Sequence, residues 1–436
     1  MNIVTIDPRD FIYPPYTDCP KCGKSFFGIL MICPDKYFRL CRDCFYPRPE
    51  KSAIEFPLPA LNKKVIYIDQ FAISNMMKAL NPDTNAHQSG RVDSFWIDLF
   101  RRLDRLCKLQ LVVCPDSGFH MHESLLSPYF TALKQMYELL SHGISFFDHE
   151  TIRRFQFCAH AMNWISGNQQ QELSLDVSSV VHGEINSWQD RIFITPNMHF
   201  DQQWIDAIRA YRESAHSGMN RVFQYWRSEK GKTFDDWFRE EYMSFGRSTL
   251  QICYDYSQQF AASSKHSADI ADILYPPSEI VMLHSIRDTL HRAGVPDSDI
   301  RAKSYEYLLS PQLQNVPFIK IASMLYAALA RKAASGMNNP PNQGMNNDIT
   351  LISVLLPYCN AMFIDNQCAA LLMEHPLCDN LKYGAQIFCQ NTKDAFISFL
   401  DSIESTAPPR HFEKVREVYG DDWPKPYDTL YEDAKN

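Results

Sequence analysis

The heptapeptide Lys63-Lys64-Val65-Ile66-Tyr67-Ile68-Asp69 sets the architecture that we expect for this chain of 436 residues. It is a short apolar run that ends in an acid, a pattern that predicts a buried β-strand. A second apolar run, Leu109-Gln110-Leu111-Val112-Val113-Cys114, stops at Pro115 and predicts another strand. Between the two, apolar residues recur at helical spacing over 92–107. Strands that alternate with helices in this way are typical of an α/β sheet.

The same alternation returns after residue 315. The sequence predicts, in order, a helix over 318–332, a turn-rich loop over 335–344, a helix from about Asp348, a strand over 361–365, a helix from Cys368, a strand near 385–389 and a helix over 393–403. Between them, 128–315 is predicted to be mostly helical, with loops at Thr195-Pro196 and Tyr275-Pro276-Pro277. We therefore expect an α/β core in two parts, 61–130 and 316–405, separated by a helical insertion over 131–315. A charged tail, 406–436, is expected to dock loosely.

The composition is that of an ordinary globular protein, with 45% hydrophobic and 22% charged residues. The 15 glycines are too few for a glycine-rich nucleotide-binding fold. A formal net charge of −8 excludes a simple polybasic nucleic-acid binder but is compatible with a local basic patch. No signal peptide and no apolar run long enough to cross a membrane is visible. We expect a cytoplasmic protein with no membrane partner.

Four of the 13 cysteines form two C-x2-C pairs, Cys19 with Cys22 and Cys41 with Cys44. Eighteen residues separate the pairs, a spacing that is typical of a four-cysteine zinc site. The segment 1–50 is too small for an adequate hydrophobic core, so we expect a zinc ribbon that metal binding stabilises. Four sulfur ligands close the coordination, which makes the zinc structural. Redox dithiols and incidental cysteines are the alternatives, and Cys33 is a less well-spaced ligand.

Four carboxylates occupy positions that suit metal chemistry. Asp69 and Asp365 end predicted strands, Glu123 is placed at a helix start after the second strand, and Asp348 opens the helix after the loop. Ligands of open α/β sheets bind outside the carboxyl ends of the strands. Four acids packed together repel one another unless cations neutralise them, and hard oxygen ligands suit Mg²⁺ or Mn²⁺. Taken singly, each acid can also be explained as a helix cap or a first-turn charge.

The order of these acids on their strands and helices resembles the PIN-like (PilT N-terminal) nuclease superfamily. The match is best in Val65-Ile66-Tyr67-Ile68-Asp69-Gln70, in Asn347-Asp348-Ile349-Thr350-Leu351 and in Met362-Phe363-Ile364-Asp365-Asn366. It covers 61–130 and 316–405, roughly half of the chain. The resemblance implies a three-layer core with a parallel central sheet, and a Mg²⁺- or Mn²⁺-dependent ribonuclease. Asp69, Glu123, Asp348 and Asp365 would then be its metal ligands and catalytic acids.

The sequence departs from the family pattern at two places. Gln70 stands where the family often has an asparagine, and Asn366 and Gln367 stand where a further acid is common. A weaker metal sphere, or coordination through water by these amides, would follow. These amides also favour the alternative hypothesis, a non-catalytic adaptor in which the zinc ribbon binds nucleic acid or protein and the α/β core is a degenerate scaffold.

Basic residues and histidines near the core are candidates for substrate contact. Arginines match phosphate groups bidentately, and two groups of them flank predicted strands: Arg101, Arg102 and Arg105, and Arg153 and Arg154. A solvated helix face is the commoner explanation for each of them. His120 and His122 flank Glu123 and can assist a metal or substrate, or be packed or capping histidines. No G-x-S-x-G, H-E-x-x-H or P-loop motif is present. This absence argues against the hydrolases that use the first two motifs, such as zinc peptidases, and against nucleotide-driven motors.

The sequence thus predicts a nuclease that hydrolyses phosphodiester bonds with Mg²⁺ or Mn²⁺, acting on RNA rather than DNA. A regulatory protein partner is compatible with this interpretation.

Overall fold

The computed structural model describes residues 7–48, 54–168, 173–191, 200–263 and 276–432, and the predicted loop at Thr195-Pro196 lies outside them. The strands are β1 (Tyr13–Thr17), β2 (Phe27–Ile32), β3 (Lys36–Cys41), β4 (Ile54–Pro57), β5 (Lys64–Ile68), β6 (Val112–Val113), β7 (Ser145–Phe146), β8 (Val181–His182), β9 (Ala361–Phe363) and β10 (Gln386–Phe388). The α-helices are α1 (Gln70–Leu80), α2 (Asn85–Gln88), α3 (Ser94–Lys108), α4 (Gly118–Ser124), α5 (Phe130–Ser141), α6 (His149–Ile165), α7 (Gln202–Ser228), α8 (Phe234–Ser263), α9 (Ser278–Arg292), α10 (Asp297–Leu308), α11 (Pro317–Ala334), α12 (Met345–Leu355), α13 (Asn366–Met373), α14 (Leu377–Asn380), α15 (Lys393–Thr406) and α16 (Pro409–Tyr419). Short 3₁₀ helices lie at Pro8–Phe11, Val177–Val180, Pro311–Asn315, Leu356–Tyr358 and Gln390–Thr392.

A four-stranded parallel sheet in the order β10-β9-β5-β6 confirms the predicted α/β class. Along the chain, β6 is added on one side of β5, and β9 and β10 are then added on the other side. The direction of strand addition therefore reverses between β5 and β9, where Ile68 pairs with Phe363. Such a switch point opens a crevice at the carboxyl ends of the two strands, and this crevice is where open α/β sheets bind ligands.

Both faces of β5 are buried, which explains its continuous apolar sequence. Ile66 and Ile68 pack into a cluster with α1, α3, α5 and α15 on one face of the sheet. Val65 and Tyr67 pack on the opposite face, against helices that include α11 and α12. The alternation of side chains along a strand thus produces three layers, with helices on both sides of the sheet.

The second predicted strand is much shorter than expected, with only Val112 and Val113 in β6. Leu109 caps α3, its backbone N–H donating to the carbonyl of Arg105, and Gln110 adopts a positive φ of 61°. The first half of the apolar run is therefore the turn that brings the chain from α3 back to the sheet.

The segment predicted as an insertion begins with residues that complete the α/β layers. Leu133 and Met136 of α5 are buried in the same cluster as β5. The chain at β7 runs along the edge of the sheet, where Phe146 donates a backbone hydrogen bond to Asp116 (2.8 Å). Further on, the described residues are mostly helical, as predicted, and α11 packs against both α7 and α8.

The N-terminal module is an antiparallel sheet in the order β1-β2-β3-β4. Its last strand, Ile54–Pro57, lies beyond the predicted ribbon segment 1–50 and pairs with β3. The tail does not dock loosely as predicted, because it forms α16, whose Val415 and Val418 are completely buried. These side chains fill the space between Ile29 and Tyr37 of the module and Leu109 of the core. The apolar side chains of α16 thus link the N-terminal module to the α/β core.

Among the described residues, no helix combines the length and the apolar character needed to cross a membrane.

Candidate metal centre and carboxylate site

The four predicted zinc ligands converge, with Cys19, Cys22, Cys41 and Cys44 offering sulfurs that all lie within 4.8 Å of one another. The Sγ atoms of Cys19 and Cys44 are 3.7 Å apart, and those of Cys22 and Cys41 are 3.8 Å apart. These separations are too long for a disulfide. They match the roughly 3.8 Å edge of a tetrahedron in which each sulfur lies about 2.3 Å from a central zinc. The cluster can therefore bind zinc.

Two turns of the same geometry present these sulfurs. The backbone N–H of Cys19 donates to Lys24 and that of Cys41 donates to Tyr46, both at 2.9 Å. Positive φ angles of 70° at Gly23 and 52° at Phe45 close the two turns. Glycine adopts a positive φ freely, so Gly23 after the first cysteine pair indicates a turn from the sequence alone. Phe45 after the second pair gives no such indication. Cys33 is outside the cluster.

Asp69 and Asp365 leave neighbouring strands in the same way. Each is the N-cap of the helix that follows, with a ψ angle of 154° in both cases. The Oδ1 of Asp69 accepts from the backbone of Gln70, and the Oδ1 of Asp365 accepts from the backbone of Cys368, both at 2.8 Å. The second oxygen of each carboxylate has no hydrogen-bond partner among the described residues and can bind a ligand.

Asp348 joins the pair from the first turn of α12. One of its oxygens, one from Asp365 and the Sγ of Cys368 all lie within 4.8 Å of one another. Burial raises the pKa of Asp348 to about 7, with further contributions from the charges of Asp365 and Glu123. Burial and the nearby acids also raise the pKa of the Cys368 thiol.

Glu123 belongs to the same group, although it does not begin a helix as predicted. It is the penultimate residue of α4, which begins at Gly118 because Ser117 is extended and ends the sheet segment. Its Oε1 accepts from the Nη2 of Arg212 on α7 at 3.0 Å, and the side chain of Asn347 is a second hydrogen-bond partner. Burial raises the pKa of Glu123, and these two contacts oppose the shift.

The four predicted acids therefore share one electrostatic environment. Burial raises the pKa of Asp69 well above its ordinary value, and the charges of Asp348, Glu123 and Asp365 raise it further, in that order. Within the described part of the chain, Arg212 is the one cation that forms an ion pair with any of these acids. A buried group with four acids and one arginine has an excess of negative charge, which bound divalent cations would neutralise. Its hard oxygen donors fit Mg²⁺ or Mn²⁺.

Two of the three amides that depart from the family pattern, Gln70 and Asn366, have structural contacts. The Nε2 of Gln70 donates to the Oγ of Ser124 (2.8 Å), linking α1 to α4 beside the acids. The Oδ1 of Asn366 accepts from the backbone of Asn391 (3.1 Å) and so ties α13 to the segment after β10. Both amides thus hold elements of the site together.

The other candidates for substrate contact are engaged elsewhere. Arg101, Arg102 and Arg105 pair with acids of the C-terminal region, among them Asp428 and Glu404. Arg153 pairs with Glu150, and the side chain of Arg154 donates to Thr151. These arginines are structural links, so the prediction that they face the substrate gains no support.

His120 is a packed histidine and not a metal ligand. Its Nε2 lies 2.7 Å from the carbonyl oxygen of Ile68, and burial lowers the pKa of the ring to about 4. The neutral ring stacks on Tyr67 and supports the strand end that carries Asp69. His122 is exposed on the same helix.

Sequence reasoning missed two residues of the site, Arg212 and Asn347. Asn347 had a readable signal, since it immediately precedes Asp348. Arg212 had none, because it is separated from Glu123 by 89 positions and lies on a helix with many other charges.

Comparison of this chain with known protein families, with curated proteins and with solved structures finds no match.

Proposed function

We propose that this protein is a metal-dependent nuclease that hydrolyses phosphodiester bonds, with RNA as its substrate. One observation carries the proposal: Asp69 and Asp365 follow neighbouring strands at the switch point of a parallel sheet, and an oxygen of Asp348 lies within 4.8 Å of one from Asp365. The charges of Asp348, Glu123 and Asp365 all raise the pKa of Asp69. The order of these acids along the chain resembles that of the PIN-like nucleases. The ribbon cysteines would hold a structural zinc ion.

The four acids would have distinct roles. Asp69 and Asp365 would bind the ions through the oxygens that are not used in helix capping. Asp348, whose pKa is about 7 because of burial and its neighbours, would complete the sphere once it loses its proton. Glu123 would orient the attacking water, since it is held from the opposite side by Arg212 and Asn347. Mg²⁺ or Mn²⁺ ions, when bound, activate such a water and stabilise the leaving oxygen.

The test is cleavage of labelled single-stranded RNA and DNA in the presence of Mg²⁺ or Mn²⁺. Asp69→Asn and Asp365→Asn should each reduce the rate on the order of 100-fold or more, because a metal ligand is lost while the capping oxygen remains. Asp93→Asn is the matched control, since Asp93 caps α3 in the same manner outside this site. It should cleave like the wild type.

Two results would contradict the proposal. If the wild type cleaves neither substrate with either ion, the nuclease function is wrong, and the adaptor hypothesis takes its place. If cleavage survives in both variants, the acids have been assigned wrongly. Faster cleavage of DNA than of RNA would keep the nuclease and correct the substrate.

A further inference from the structure

Helix α7 brings a guanidinium group to the carboxylate site from outside the sheet. The Nη2 of Arg212 donates to Glu123, and the positive charge of Arg212 also lowers the pKa of Asp348. The helix packs against α11 and α12, and α12 carries Asp348. Arg212 therefore lies where α7 faces the acids.

The ion pair with Glu123 does not use all the hydrogen-bond donors of the Arg212 guanidinium. Its side chain is 22% exposed, and Glu123 is its one hydrogen-bond partner among the described residues. A guanidinium has five N–H donors in a planar fork that matches two oxygens of a phosphate. The donors that remain are available to a phosphate that reaches the carboxylates.

Exposed aromatic side chains continue from Arg212 along the same helix. Tyr211 is 66% exposed and Trp204 is 51% exposed. The two are seven residues apart, so they lie on one face of the helix, about 10 Å apart along its axis. Large aromatic rings exposed in this way are suited to stacking, and single-stranded nucleic acids offer base faces that a duplex hides.

Tyr211 and Trp204 lie about a quarter-turn around α7 from Arg212, because each helical residue advances by about 100°. Tyr211 also raises the pKa of Tyr326, after burial and Glu241. The hydroxyl of Tyr326 donates to the Oδ1 of Asn346 (2.6 Å), the neighbour of the Asn347 that contacts Glu123. The exposed aromatic face of α7 is thus next to the face from which Arg212 reaches Glu123.

We propose that α7 is the wall that binds a single-stranded nucleic acid in this site, with Arg212 contacting the phosphate to be cleaved and Tyr211 stacking on an adjacent base. Trp204 stacks on a base further along the strand. This inference rests on the proposed nuclease function, and it adds the substrate class. Arg212 keeps its bond to Glu123 through Nη2, and its remaining N–H donors contact the phosphate.

The experiment measures binding separately from cleavage, by fluorescence anisotropy with Ca²⁺ in place of Mg²⁺. The probes are a labelled RNA strand and the duplex of the same sequence. The wild type should bind the single strand roughly tenfold more tightly than the duplex, and Arg212→Gln and Tyr211→Ala should each lose roughly tenfold in affinity for the strand. Arg212→Lys should keep most of the binding and lose kcat, because an ammonium keeps the charge without the fork.

Matched controls come from the same helices. Arg209 lies one turn earlier on α7 and pairs with Asp206, and Tyr254 is an exposed tyrosine of α8. Arg209→Gln and Tyr254→Ala should bind the strand like the wild type. Arg212→Gln should also retain its affinity for Mn²⁺, which a role limited to holding the acids in place would reduce.

Unchanged strand binding in both Arg212→Gln and Tyr211→Ala would overturn the proposal, as would equal losses in the two controls or preference for the duplex. Should Arg212→Gln fail to fold, Arg212→Lys and Tyr211→Ala carry the test. If strand binding depends on α7 but the wild type cleaves no substrate, the nuclease function is contradicted. The proposed role of α7 in binding a single strand is then retained.

Discussion

The backbone N–H of Asp69 donates a hydrogen bond to the carbonyl oxygen of Phe363 at 3.0 Å. This bond extends the ladder between β5 and β9 by one step, to the point where both chains leave the sheet. Asp69 and Asp365 consequently begin their helices side by side. Each uses one oxygen as a helix cap and leaves the other for a ligand. One aspartate side chain can thus cap a helix with one oxygen and offer the other oxygen to a metal ion.

Removing one acid should stabilise the metal-free protein. Burial, and then the charges of Asp365 and Glu123, raise the pKa of Asp348 to about 7. Its ionised form therefore opposes folding, and the stability that protonation provides is lost as the pH rises from about 4 to 7. Asp348→Asn should raise the Tm at pH 8 by ~1 °C, equivalent to about 1 kcal/mol in a chain of this length. Differential scanning fluorimetry with EDTA measures this, and Mn²⁺ should stabilise the wild type but not the variant. A Tm below that of the wild type at pH 8 would show that the charge of Asp348 does not destabilise the metal-free protein.

Binding of the divalent ion should depend on pH around neutrality. A metal must displace the proton of Asp348 below its pKa of about 7. The affinity for Mn²⁺ should therefore fall up to about tenfold between pH 7 and pH 6, and change little above pH 8. Calorimetry in buffers of different ionisation enthalpy should detect roughly one proton released at pH 6 and fewer at pH 8. An affinity that is independent of pH would show that Asp348 is not a ligand.

Zinc removal should loosen the C-terminal helix as well as the ribbon. The hydroxyl of Tyr37 donates to Glu417 (2.7 Å), and Arg39 donates to the backbone of the same residue (3.3 Å). These contacts connect the ribbon sheet with α16. The purified protein should contain about one zinc ion per chain, and Cys44→Ser should lose it. Hydrogen exchange should then increase in β3 and in α16.

Cys33→Ser is the control for the zinc site, because Cys33 lies outside the cysteine cluster. It should retain the metal and the wild-type exchange pattern. Zinc loss in this variant would mean that the ligand set is different.

A buried histidine in the helical layer should make the fold sensitive to acid. The Nδ1 of His160 lies 3.0 Å from the hydroxyl of Tyr307, and burial lowers the pKa of this ring to about 4. The unfolded chain binds the proton more readily, so the stability that the neutral ring contributes is present above pH 6.5 and is lost as the pH falls toward 4. The loss amounts to about 3 kcal/mol at most.

Urea unfolding of the wild type and His160→Gln between pH 7 and pH 4.5 measures this contribution. The free energy of unfolding should decline less steeply with acid in the variant. His375→Gln changes an exposed histidine and should decline like the wild type. Parallel curves for all three proteins would exclude His160 as a source of acid sensitivity.

Local sequence was sufficient for the features that depend on near neighbours. The apolar run 64–68 has the composition of a strand that is buried on both faces, and the structure has that strand. The spacing of Cys19, Cys22, Cys41 and Cys44 is a property of two turns, each closed within a few residues. The acids that follow β5 and β9 were readable because strand ends of a parallel sheet meet at one edge.

Other features depended on which surfaces pack together, and packing joins residues that the chain keeps far apart. Arg212 meets Glu123 because α7 lies across the outer side of the site. Arg105 is occupied by Glu404, 299 positions away, so an arginine that matched a phosphate ligand became a structural link. The tail became a buried helix because the ribbon and the core leave an apolar gap between them. Residue types and periodicity thus specified the strands, the cysteine cluster and the acids, whereas contacts between distant side chains assembled the site around them.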